Sequence, residues 1–278
     1  MALLRSLDTA VTGIRAQLFR IELVGENIAN VDTTGFKSSR PEFSTILSQQ
    51  QSYGSAPDGF LGGIDPTQIG QGTFVSGTRK NFNQGPLEAT GVFSDLAIVG
   101  DGFFILRDPT GREVYTRDGS FSIDSANRLH DAASGYRVQG YAVDENFQLK
   151  PGSPLTDLEI PPEATGIAVA EDGVITGVFD EGLTRTLGQV ALCRFPNPNG
   201  LVDLGSNLYE ASANTGAAQT GAPGGSGRGL IRGGALEESN VDLAEQFSEL
   251  LIGQRAFQAN ARTITTSDQL LSELVNLL

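Results

Sequence analysis

The residue types that most often carry covalent chemistry are scarce in this chain, and none stands in a catalytic pattern. The single histidine, His130, lies in Arg128-Leu129-His130-Asp131. A histidine beside an aspartate can serve as a general base, but no serine occupies a Gly-x-Ser-x-Gly turn for it to activate. The expected role of His130 is an exposed turn side chain. Cys193 is the one cysteine, in the apolar run Val190-Ala191-Leu192-Cys193. An intramolecular disulfide and a thiolate metal cluster are therefore excluded, and a buried strand thiol is expected. Asp95 and Asp101 are close in sequence, as an acid pair for glycoside hydrolysis must be in space, yet nothing places them in a cleft. Gly224-Gly225-Ser226-Gly227-Arg228-Gly229 resembles a phosphate loop only in its glycines, and Gly100-Asp101-Gly102 lacks the third glycine of a dinucleotide fingerprint. Both read as turns. With no clustered His, Cys or spaced carboxylates, the expectation is no metal, no cofactor and no enzymatic activity.

Charge narrows the partners. The 278 residues include 33 acidic and 19 basic side chains, for a net charge of −14. Binding to nucleic acid needs clustered Lys and Arg at the phosphates, and docking on anionic lipid needs the same, so neither is expected. No run of about 18 apolar residues is present, so no membrane insertion by a helix is expected either. The start, Met1-Ala2-Leu3-Leu4-Arg5-Ser6, lacks the basic and apolar regions of a secretory leader.

The elements are more informative than the reactive residues. Leu4, Leu7, Val11, Ile14, Leu18, Ile21, Gly25 and Ile28 step by three and four, which predicts a helix over residues 3–29 about 40 Å long. At the other end, Leu243, Phe247, Leu250, Gln254, Phe257, Ala261, Ile264, Asp268, Leu271, Val275 and Leu278 step the same way. Ser239-Asn240-Val241-Asp242 offers the start of that helix, a capping side chain with an acid three residues later. Two narrow heptad seams at opposite ends suit packing of the termini against each other, as a coiled coil. Gln254 and Asp268 interrupt the second seam. Polar residues at such positions either fix register or stay wet.

Between the helices the period changes to short runs parted by turn signals. Asp95–Val99, Phe103–Leu106, Val114–Thr116, Phe121–Ile123, Tyr136–Tyr141, Gly166–Val169, Val174–Phe179 and Gln189–Leu192 read as strands. Asp118-Gly119 and Asp172-Gly173 are hairpin cues, and the spacing describes an antiparallel sheet. Residues 48–72 and 213–234 are rich in Gly and small polar residues and read as linkers, or as arms that order against a neighbour. The predicted fold is mixed α and β. Its parts are a first helix over 1–30, an extended connecting arm over 31–88 and a central antiparallel β domain over 89–212. A Gly-rich connector over 213–238 and a closing helix over 239–278 complete it.

Three blocks carry a family resemblance. The first helix runs into Asn27-Ile28-Ala29-Asn30-Val31-Asp32-Thr33-Thr34-Gly35-Phe36-Lys37. The second block is Asp95-Leu96-Ala97-Ile98, Gly100-Asp101-Gly102-Phe103-Phe104 and Tyr115-Thr116-Arg117-Asp118-Gly119-Ser120-Phe121. The third is Ser239-Asn240-Val241-Asp242-Leu243-Ala244 with Phe257-Gln258-Ala259-Asn260. Together they resemble the bacterial flagellar rod and hook axial proteins over nearly the whole chain. Within the family Thr33–Lys37, Pro66–Gly70 and Asn240–Ala244 lean toward the hook protein. The passage from Tyr136–Val143 to Asp172–Phe179 leaves no room for the outer domain that hook proteins commonly insert, so a short hook form is expected, with a distal rod subunit as the alternative.

The resemblance implies a structural subunit that self-assembles into a helical tube after export by the flagellar type III apparatus, outside the cytoplasm. Its implied partners are copies of itself, the rod, the hook cap and the hook–filament junction proteins, and the export apparatus. The seam residues Leu4, Leu7, Val11, Ile14, Leu18, Ile21, Ile28, Leu243, Phe247, Leu250, Phe257, Ile264, Leu271 and Val275 are expected to pack subunits. Asn27, Ala29, Asn30, Thr34, Gly35, Phe36, Ser239, Asn240 and Val241 are the family motif. A binding module, such as an adhesin-like β domain on a stalk, accounts for the sheet but does not need both termini helical.

Overall fold

The computed structural model describes residues 2–54, 56–57, 62–63, 65–143, 154–164, 166–179 and 183–276, without the side chains of residues 2–4 and 274. The seam positions Leu4 (its side chain) and Leu278 lie outside the described residues. The chain divides into two compact units, residues 1–29, 39–81 and 242–278 in the first, and 30–38 and 82–241 in the second. The boundaries cut across the arm expected over 31–88, assigning 39–81 to the helices and the rest to the sheet.

The first unit is built on helix α1 (Ala2–Ala29) and helix α2 (Leu243–Asn276). Both follow the three-and-four spacing of apolar residues, and no proline interrupts either. α1 stops at Asn30, whose backbone carbonyl accepts the Thr33 N–H (3.2 Å) and whose side-chain oxygen accepts the Thr33 hydroxyl (3.2 Å). α2 starts four residues later than the Ser239 start expected. Its cap is Asp242, whose Oδ1 accepts the N–H groups of Ala244 (2.8 Å) and Glu245 (3.2 Å). Each fulfils an orphan donor of the first turn. Asp242→Ala should therefore lower stability by about 1 kcal/mol, read as an earlier thermal loss of helical circular dichroism.

Between the helices in sequence, Ser39–Thr45 pairs antiparallel with Thr73–Lys80, with a bulge at Glu42/Phe43, and Gln49–Ser52 pairs with Thr67–Ile69. This stretch thus forms a two-stranded ribbon where the sequence suggests an arm. Its composition hides the strands because both faces are largely polar, leaving little alternation to read.

The second unit is built, among the described residues, on a thirteen-stranded antiparallel sheet with two further two-stranded pairs beside it in sequence. Its main path runs Gly166–Val169, Val174–Val178, Thr184–Val190, Arg137–Ala142, Phe103–Arg107, Glu113–Thr116, Leu208–Glu210 and Val202–Gly205. The eight runs expected from sequence all lie on or beside strands. The connector expected over 213–238 is also structured. Gln219–Gly221 pairs with Leu192–Arg194, Leu230–Gly233 with Leu96–Val99, and Ala235–Glu237 with Leu87–Ala89. Apolar side chains fill both faces of the central strands. Phe104, Leu106, Val138, Val190 and Leu192 belong to one cluster, and Phe103, Ile105, Tyr115, Phe195 and Tyr209 to another. The alternation along Phe103-Phe104-Ile105-Leu106 sends successive residues to opposite clusters, as a strand buried on both faces requires.

Candidate assembly interface

Within the first unit, α1 and α2 lie antiparallel, and the residues between them are small or polar. Ser6 and Ser267 bring their hydroxyls to 3.4 Å. A Cβ on Gly13 would lie 2.7 Å from the Asn260 amide, and one on Gly253 would lie 3.1 Å from Ile21. Asn27 donates to the Gln246 side-chain oxygen at 3.0 Å. Arg20 and Glu249 form an ion pair on the same side. Glycines at 13 and 253 let the helix backbones approach closely, with Asn260 against the first and Ile21 against the second.

The predicted seam accordingly straddles this contact. Leu7, Ile14, Ile21 and Ile28 of α1 are half-buried, as are Leu250, Phe257, Ile264 and Leu271 of α2. Val11, Leu18, Leu243, Phe247 and Val275 are exposed, Phe247 by 50% and Val275 by 72%. Gln254 and Asp268, the two polar seam positions, are exposed as well. Leu251, Ile252 and Leu270, which the heptad reading left out, add further exposed apolar area to α2. Full burial of one such side chain is worth about 1.5–3 kcal/mol, so the free helix pair forgoes a large hydrophobic stabilisation. Exposed large apolar side chains gathered on one pair of helices are the mark of an interaction surface.

The motif residues divide between the units. In the first, Asn27 is 1% exposed, and its amide is fully engaged. Nδ2 donates to the Ser39 carbonyl (2.9 Å) and to Gln246, while Oδ1 accepts the Ser39 N–H (2.9 Å). Ala29 is the exposed last residue of α1.

In the second unit, residues 34–38 and 237–240 are held together. Gly35 donates its N–H to the Glu237 carbonyl at 2.7 Å. It also has φ +67°, and a Cβ there would lie 2.6 Å from the Asp118 nitrogen. Only glycine meets both conditions. The Thr34 carbonyl accepts the Asn207 amide (2.8 Å), and Phe36 is buried. Asn240 accepts the Ser38 N–H (2.9 Å) and donates to the Asn83 carbonyl (3.0 Å). Ser239 is buried and Val241 half-buried.

At the centre of this junction lies a buried charge cluster that sequence reasoning did not single out. Lys37 Nζ donates to Glu237 Oε1 at 2.6 Å and to the Asn83 carbonyl at 2.8 Å. Glu237 Oε1 also accepts the Gly85 N–H (2.9 Å), and its Oε2 faces Arg117 Nη1 at 3.4 Å. Arg117 stacks over the Phe103 ring, 5.3 Å from its centroid. The three charged side chains are between 0% and 2% exposed. Burial pulls the Lys37 ammonium and the Arg117 guanidinium below their usual ranges, opposed in each case by the Glu237 carboxylate. The only local signal was a lysine between Phe36 and Ser38 and an arginine inside the second block. Their partner stands 200 and 120 residues away.

The groups considered for chemistry are elsewhere and separately engaged. His130 sits half-buried in the strand Leu129–Asp131, opposite Ser122 and Arg137, rather than in an exposed turn. Asp131 accepts the Ser134 N–H, and Asp95 accepts the Thr90 hydroxyl. Cys193 is buried in the strand Leu192–Arg194, where burial pushes its thiol up to about 12. Gly224–Gly229 closes as a turn through Gly224 N–H to the Gly229 carbonyl. Among the described residues no group of three or more His, Cys, Asp or Glu could hold a metal ion. No helix among them is long and apolar enough to cross a membrane.

Two long terminal helices carry exposed apolar side chains, and in the β unit the segment after α1 is held against the segment before α2. The chain belongs to the flagellar rod and hook axial protein family, and is a structural component of the bacterial flagellum. The family model "Flagella basal body rod protein" matches residues 7–37. "Flagellar hook protein FlgE/F/G D1 domain" matches 97–177, and "Flagellar basal body rod FlgEFG protein C-terminal" matches 232–277. The chain is 39% identical to flagellar basal-body rod protein FlgG of Bacillus subtilis, over 99% of both chains. It is 36% identical to the protein of the same name in Borreliella burgdorferi, again over 99% of both. Flagellar hook protein FlgE of Borreliella burgdorferi is 28% identical over 442 aligned residues, covering 99% of this chain and 100% of that one.

Proposed function

We propose that this chain is the subunit of the distal flagellar rod, a straight and rigid shaft built from copies of itself. The observation that carries this reading is its end-to-end match with rod proteins of nearly its own length. Similarity to a hook protein is lower and is spread over a much longer alignment. The short hook form expected from the sequence motifs is therefore the second reading.

The exposed stripe on α1 and α2 supports the polymer. A neighbour's stripe laid against it, in the manner of a coiled coil, buries what the free chain leaves in water, and a contact between two different faces repeats without closing. The ribbon of residues 39–80 supports rigidity. A paired ribbon with Phe43 and Phe74 exposed on it is a stiffer contact element than the Gly/Ser linker the sequence suggested. In this reading the chain leaves the cytoplasm through the flagellar export apparatus and meets rod and hook proteins at its two ends.

Labelling isolated hook–basal bodies with antibody-bound gold against this chain distinguishes the readings. Gold confined to the shaft below the hook supports the rod. Gold along the curved hook would reject it.

A further inference from the structure

Small, polar layers bring two helices close but index them poorly. Ser6, Gly13, Arg20 and Asn27 recur every seven residues along α1, and Gln246, Gly253, Asn260 and Ser267 every seven along α2. The observed pairing sets Ser6 by Ser267, Gly13 by Asn260 and Asn27 by Gln246. Sliding α1 by one heptad would again oppose small and polar residues, with Ser6 by Asn260 and Gly13 by Gly253. Steric fit at these layers does not choose between the two arrangements. The Arg20–Glu249 and Arg40–Glu245 pairs are partly solvated, where ion pairs discriminate little.

Asn27 is the exception. It is buried, and its amide bonds both to Gln246 of α2 and to both backbone groups of Ser39, where the ribbon begins. A one-heptad slide in one direction places it by Gly253, which offers no side-chain acceptor. The other direction carries it past the first turn of α2. Either way the buried amide loses its Gln246 partner, while the bonds to Ser39, which follows α1 in the chain, hold that amide in place and leave it no other use, a cost large enough to fix the arrangement. We infer that Asn27 is the register key of the terminal helix pair, selecting one of several near-equivalent alignments through the Gln246 and Ser39 bonds. A single buried asparagine fixes alignment in other paired helices in the same way, at some loss of stability. The inference rests on the helix pair alone and stands whether the tube is rod or hook.

Cysteine cross-linking in the full-length chain tests it. Ser6→Cys with Ser267→Cys reports the observed alignment, and Ser6→Cys with Asn260→Cys reports the slide. Intramolecular links are scored by mass in the monomeric fraction, and Cys193, buried in the β unit, is left in place. With Asn27 present, the first pair should link strongly and the second hardly at all. With Asn27→Leu, the ratio of first to second should fall by about tenfold or more. The double variant Asn27→Leu/Gln246→Leu, which supplies an apolar layer, should keep its helical signal and still lose the preference. An unchanged ratio in either folded variant would overturn the proposal. So would loss of the helices in both, since Asn27 would then be a general stabiliser rather than a key.

Discussion

Glu237→Ala should lower the stability of the β unit by about 3–5 kcal/mol. The carboxylate pairs with both Lys37 and Arg117, all three within 2% of full burial, and it also accepts the Gly85 N–H. Its removal strands two buried cations, and breaking a buried pair from one side costs about 3–5 kcal/mol. That is a large share of the roughly 5–15 kcal/mol that holds a typical domain together. The comparison that isolates the cause is a triple replacement, Lys37→Met, Arg117→Met and Glu237→Leu. With no charge left unpaired, it should be far less damaging than Glu237→Ala alone, because well-packed apolar groups replace a buried ion cluster at little net cost. Urea unfolding followed by tyrosine fluorescence measures both. A Glu237→Ala midpoint within experimental error of the parent would mean that the cluster contributes nothing.

A second large loss is expected at Gly119, inside the second family block. A Cβ there would sit 1.6 Å from the Leu96 carbonyl oxygen, and the Gly119 carbonyl accepts the Leu96 N–H at 3.0 Å. Both obstructions are backbone, so no rotamer change relieves them. The strand Leu96–Val99 must move away, and with it Ile98 and Leu96, both in the core. Gly119→Ala should therefore cost more than about 4 kcal/mol and give insoluble protein. Gly77→Ala, on the ribbon with open space around it, should be nearly neutral under the same assay. Equal solubility of the two variants would show that the close approach is relieved at no cost.

These two positions also mark what the sequence could and could not tell. The terminal helices were legible because apolar residues at three-and-four spacing persist over about seven turns or more, and the central strands because Asp-Gly and Gly-Asp-Gly turns separate them. Which helix face packs was not legible. Large side chains were read as the seam, and Ile21 does lie against Gly253, but the layers of Ser6, Gly13, Asn27, Gln246 and Asn260 between the helices carry no apolar signal. The ribbon strands Ser39–Thr45 and Thr73–Lys80 were missed because the half-buried positions along them carry Thr, Gly and Lys as well as Val, so burial alternates but residue type does not. Leu230–Gly233 and Ala235–Glu237 were missed because glycines dominate their surroundings, although Gly234, at φ +69°, is the turn between the two strands. The Lys37–Glu237–Arg117 cluster has no local pattern at all, since it unites residues from three distant segments. The cap of α2 is a local feature, but it is Asp242, read as the acid of the motif, rather than Ser239.

The account turns on the exposed apolar stripe of α1 and α2 being the surface on which copies assemble into a straight shaft. Electron cryo-microscopy of assemblies formed by the purified full-length chain, beside a chain lacking residues 1–30 and 240–278, addresses this most directly. The expected result is straight tubes from the full chain, with Leu18, Phe247 and Leu251 buried between subunits, and monomers from the shortened one. Curved tubes would return the chain to the hook. A full-length monomer at every condition, or tubes that leave those side chains in water, would contradict the account.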